Sequence, residues 1–174
     1  FTSRVAKVGM TDGIRQVLQE ESDALRAYYE QAGILIARPA GETSCRLAIS
    51  AKGGTNAENH NHNDVGSYAV ALGSETMVGD QGGPNSYPGD YFNGDAPQKY
   101  KIKGSFGHPV PVVDGRTQSS GGKAKGVVLQ KEFTNEKDVF SIDYTSAYST
   151  PNLDKLIRTF VYDRQGEGNF TVGD

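Results

Sequence analysis

The chain has no tryptophan, one cysteine and three histidines in 174 residues, and no apolar run approaches membrane-span length. A single thiol, Cys45, excludes an internal disulfide framework. No run within the sequence is long and apolar enough for a membrane-spanning helix, and no N-terminal targeting pattern is read. Charge is also sparse: 18 Lys and Arg against 21 Asp and Glu leave a formal net charge of −3. No broad basic field exists to hold nucleic acid. Hydrophobic residues make up only 36%, whereas glycine contributes 22 residues and tyrosine nine. That balance favours a turn-rich β domain over a helical bundle, in a chain long enough for one real core.

The texture along the chain fits this expectation. Residues 12–32 read as the one helical stretch: Asp12 can cap it, Ile14, Val17, Leu18, Leu25, Tyr28 and Tyr29 recur at roughly helical spacing, and Gly33 can stop it. Strands are then expected at 34–38, 44–51, 67–72 and 76–78, the last two joined as a hairpin through Gly73-Ser74-Glu75. Residues 81–95 read as a long loop rich in Gly, Pro, Asn and Asp. Further strands are expected at 109–113, 126–133, 138–145 and 156–163. Lys99, Lys101 and Lys103 alternate around Tyr100 and Ile102, as on an edge strand that lysines protect from mispairing. The predicted fold is an antiparallel β-sandwich with one N-terminal helical segment. The chain opens at Phe1 without methionine and closes on Asn169–Asp174, which reads as a strand cut short. Both ends suggest a piece of a longer protein.

The chemistry-bearing residues are concentrated in Asn59-His60-Asn61-His62-Asn63-Asp64. Two of the three histidines sit here, and the third is His108. Histidine is the commonest metal ligand and titrates near neutral pH. If 60–64 is extended, His60, His62 and Asp64 share one face. Zinc takes four ligands from His, Asp, Glu or Cys, and Asp64, Asp80 and His108 are the candidates to join His62. Asp80 follows a predicted strand directly and is backed by glycines. Tyr87 and Tyr91 stand in the long loop, where aromatic rings suit sugar stacking and hydroxyls can exchange protons.

Two resemblances follow from these motifs. Gly54, five residues, then His60-Asn61-His62 is similar to the opening of the cupin metal motif, and Gly73 matches its closing glycine. The glutamate expected between them is missing: Gly66 and Ser67 stand there. The second resemblance covers about residues 28–172. Gly33–Arg38, Asn59–Tyr68, Leu72-Gly73 with Val78–Gly82, and Gly107–Gly115 resemble, in order and spacing, four blocks of the C-terminal domain of heparinase II/III-like polysaccharide lyases. Pro109 departs from the usual asparagine of the last block.

That resemblance implies a lyase that cleaves uronic-acid polysaccharides by β-elimination, in a cleft between an N-terminal α/α-toroid and C-terminal β-sheet layers. It implies residues 1–32 as a helical lead-in from the toroid and 33–174 as the β-sandwich domain. It implies His60 as the catalytic histidine and Asn59 as its neighbour on the uronate carboxylate. Tyr87 or Tyr91 would face substrate, and His62, Asp80 and His108 would hold a zinc ion. The implied partners are an acidic polysaccharide and the toroid, with neither nucleic acid nor membrane, in the periplasm or secreted. The main acid/base tyrosine would come from the toroid, so the 174 residues alone are expected to be nearly inactive. A cupin-like metal enzyme and a non-catalytic carbohydrate-binding sandwich are the alternatives.

Overall fold

The computed structural model describes residues 24–80 and 83–174. It is mainly β, with ten strands in two five-stranded antiparallel sheets. The first sheet contains β1 (Arg26–Tyr29), β2 (Ile34–Ala37), β3 (Leu47–Lys52), β5 (Tyr68–Leu72) and β6 (Glu75–Val78), in that spatial order. The second runs β10 (Asn169–Gly173), β9 (Ile157–Asp163), β8 (Lys137–Asp143), β7 (Gly121–Phe133) and β4 (Gly54–Asn56).

The sheets face each other through alternate residues, as a period of two requires. Leu35, Ala37, Ile49 and Ala51 from the first sheet join Phe140, Ile142, Phe160 and Tyr162 from the second in one buried cluster. Phe140 and Phe160 are paired across β8 and β9 and stack at 6.1 Å. Burying side chains of this size contributes about 1.5–3 kcal/mol each.

The chain changes sheets between β3 and β4. Gly54 lies at φ +66° and Gly33 at +62°, and each backbone presses on the other's turn. A Cβ on Gly54 would meet the Ala32 carbonyl oxygen at 2.5 Å, so only glycine fits this crossing. Gly54 is therefore explained by the change of sheet, with no need of a metal motif.

Three expectations are corrected. Of the predicted helix, residues 12–23 lie outside the described residues, and the remainder is β1 and its turn. Arg26 and Tyr28 alternate inward, Tyr28 onto Phe133 and Phe140, and Gly33 closes the Glu30–Gly33 hairpin turn rather than a helix. Residues 109–113 form no strand, only a Val113–Arg116 bridge, because Pro109 and Pro111 cannot donate to a ladder. The lysine run is not an edge strand either. Helix α1 (Ala96–Lys99) carries Pro97 in its first turn and is followed by turns that bury Lys103. Among the described residues no helix is long and apolar enough to cross a membrane.

Candidate metal centre and flanking clefts

The histidine segment lies in the connection from β4 to β5, where no ladder orders the backbone. Side-chain amides do so instead. Gln118 is 2% exposed and holds both backbone polar groups of buried Val65: its Oε1 accepts from the Val65 N–H at 3.0 Å and its Nε2 donates to the Val65 carbonyl at 2.7 Å. Asn56 donates to Gln118 Oε1 and accepts from the Asp64 N–H. Asn63 donates to the Gln118 carbonyl at 3.0 Å. Each buried polar group left unpaired costs about 1–3 kcal/mol. Gln118→Ala should therefore destabilise the fold by about 2–4 kcal/mol in urea unfolding, and a loss below about 1 kcal/mol would show that water replaces the amide. Nothing in the local sequence marks Gln118, since the Asn56, Asn63 and Val65 groups it holds lie more than 50 residues away.

Within this frame the two histidines diverge. His60 has φ +59°, in the left-handed region, so the run is not uniformly extended and the shared face of His60, His62 and Asp64 does not form. Asp64 turns away to an ion pair with Lys52. The exposed His60 ring lies 4.5 Å from that of Phe92. His62 points instead to His108, with its Nδ1 3.1 Å from His108 Nε2.

The buried His108 follows a short 3₁₀ turn (Ser105–Gly107) and also meets Asp80, whose Oδ2 lies 2.9 Å from its Nδ1. That contact has ion-pair distance but not the alignment of a hydrogen bond. One ligand atom each from His62, Asp80 and His108 lies within 4.8 Å of the others. Zinc bonds of about 2.0–2.1 Å in a tetrahedron put ligand atoms about 3.3 Å apart, the scale of separation this group spans. The donor set, two imidazoles and a carboxylate, suits zinc. Burial, and then the neighbouring His108, hold the His62 pKa below the ordinary histidine value, despite opposing pulls from Asp64 and Asp80. The neutral imidazole, which is the form that ligates, is thereby favoured to lower pH. His60 is not among the grouped ligands.

Two cavities flank the centre. One of about 400 Å³ is lined by His60, His62, Asp80, Tyr87, Tyr91 and Phe92. The larger cleft, about 740 Å³, is lined by residues that include Asn59, His60, Asn61, Phe92 and Lys103. His60 and Phe92 thus stand on the ridge between them. Tyr87 is 57% exposed and Tyr91 2%, their rings 5.0 Å apart. The Tyr91 hydroxyl is buried with no hydrogen-bond partner among the described residues. Burial, then Tyr87 and Asp80, raise its pKa, so it remains a proton donor.

All seven predicted residues therefore converge on one region, with His108 behind it and Asn59 at its larger cleft. Phe92 and Lys103 are additions. Phe92 carried no signal beyond its neighbour Tyr91, and Lys103 was hidden by its alternating run. No protein-family model matches this chain, and no curated protein matches it.

Proposed function

We propose that the chain is the β-sheet domain of a polysaccharide lyase that cleaves uronic-acid glycans by β-elimination and carries a zinc site. The observation that supports this reading is the divergence of the two side chains in His60-Asn61-His62. His62 joins Asp80 and His108, remote in sequence, while His60 stands free of them on the ridge between two clefts. A cupin-like site would instead place both histidines on one ion, and a plain binding module needs no ion. Zinc, when bound, would supply a fixed cationic tie among three chain segments. His62, Asp80 and His108 would hold it.

The residues fit the chemistry of the reaction. Removal of the C5 proton of a uronate and expulsion of the 4-O-linked sugar form a C4=C5 double bond. The Asn59 amide can donate to the uronate carboxylate, which stabilises charge developing as the proton leaves. His60 can accept or return that proton. The rings of Tyr87 and Phe92, exposed beside it, offer a stacking surface for sugar. Tyr91 is the better candidate for a proton-donating contact, because a buried hydroxyl without a described partner gains one from a ligand. In this reading a toroid closes the cleft and supplies the remaining acid/base groups, and the enzyme acts in the periplasm or outside the cell.

The test is release of unsaturated uronate, followed by absorbance, from a panel of uronate glycans by the full-length protein. His60→Ala should lower the rate by about 10²–10⁴-fold while leaving zinc in place. Release from no uronate polymer, or an unaffected His60→Ala protein, would contradict the reading.

A further inference from the structure

Lys103 is the most buried lysine among the described residues, at 3% exposure. Lys52, Lys99 and Lys131 each pair with a carboxylate, of Asp64, Asp90 and Glu30 respectively. Lys103 has no such ion pair among the described residues. Its Nζ donates to the Tyr91 carbonyl at 2.8 Å and lies 4.7 Å from the Tyr91 ring centroid and 5.3 Å from that of Phe92. A carbonyl and two ring faces stabilise an ammonium only in part. A buried charge without a counter-ion is costly, and an ammonium has three donors to satisfy. Burial accordingly lowers the Lys103 pKa.

The surroundings say what would complete it. Lys103 lines the larger cleft together with Asn59 and His60, and is the only lysine or arginine to do so among the described residues. Its carbonyl accepts from the Asn63 N–H at 2.8 Å, which ties it to the histidine segment. Glu58 is the one acid on that lining, and it is exposed and bonded to Thr55.

We infer that Lys103 is a carboxylate-recognising residue of the larger cleft, its ammonium receiving the acid group of a bound uronic-acid unit. This rests on the acidic-glycan reading above and adds the residue that selects acid over neutral sugar. Asn59 and His60 then meet the sugar from one side and Lys103 from the floor.

Calorimetric titration of the protein with a uronic-acid oligosaccharide and with its carboxyl-reduced counterpart tests the assignment. The unaltered protein should prefer the acid by about tenfold or more, and Lys103→Met should bring the two within about threefold. Should Lys103→Met keep the full preference, the Lys103 assignment alone falls. If the unaltered protein binds neither sugar, or shows no preference, the acidic-glycan reading falls with it. A second measurement does not depend on the variant folding. In the unaltered protein, the NMR signals of the Lys103 side-chain terminus should move with the acid and not with the reduced sugar, and their staying still with the acid would overturn the assignment.

Discussion

Asp138→Ala is expected to lose about 3–5 kcal/mol of stability. Asp138 is 1% exposed and accepts from two arginines. Arg26 Nε reaches Oδ1 at 2.8 Å, and Arg164 binds Oδ2. The three residues come from β1, β8 and the end of β9, so the carboxylate ties the edge of the first sheet to the second. Arg164 also donates to the carbonyls of Arg38, Leu25 and Thr134, at 2.7, 3.1 and 3.5 Å, and its guanidinium lies 4.6 Å from the centroid of the Tyr162 ring. Removing the carboxylate therefore leaves a fixed, 3%-exposed cation that cannot swing into water. That uncompensated charge, rather than the lost pair itself, sets the size of the effect. In a chain of this length the melting midpoint should fall by about 10 °C. Urea unfolding is the direct check, and a loss under about 1 kcal/mol would mean that solvent reaches Arg164.

Much of the fold was legible in the sequence wherever alternation ran long enough to declare itself. β8 and β9 came from clear inward–outward patterns, and the β5–β6 hairpin from its Gly73-Ser74 turn. β1 was misread because four residues, Arg26–Tyr29, are too few to show a period, and Leu25, Tyr28 and Tyr29 also satisfy helical spacing. β4 was missed because three residues are too few to show a period and Gly54 and Asn56 disfavour a strand, and its pairing with β7 depends on the change of sheets at Gly53-Gly54. The site divides in the same way. The candidate residues stood out because histidine is rare here and its neighbours are polar. Their supports, Gln118 and Lys103, were not, because a buried amide or ammonium is defined by partners that only folding brings near. The shared face of 60–64 was an extrapolation of strand geometry through His60, which the left-handed backbone at that residue interrupts.

The second large effect concerns the metal. His62→Ala removes one imidazole of three proposed ligands, and the loss should weaken zinc binding by about 100-fold or more, since two remaining protein ligands no longer make a site. His108→Ala should do the same and should also cost stability, because its ring is buried between His62 and Asp80. His60→Ala removes a ring only two residues from His62, yet that ring rests on Phe92 and is not among the grouped ligands. A general polar loop, or an ion shared by the two neighbouring histidines, would not separate these variants. The decisive measurement is the zinc content of purified His60→Ala and His62→Ala proteins after dialysis against dilute chelator, beside the unaltered chain. About one zinc per chain is expected in the unaltered and His60→Ala proteins and almost none in His62→Ala. Equal loss from both variants, or no zinc in any of the three, would contradict it.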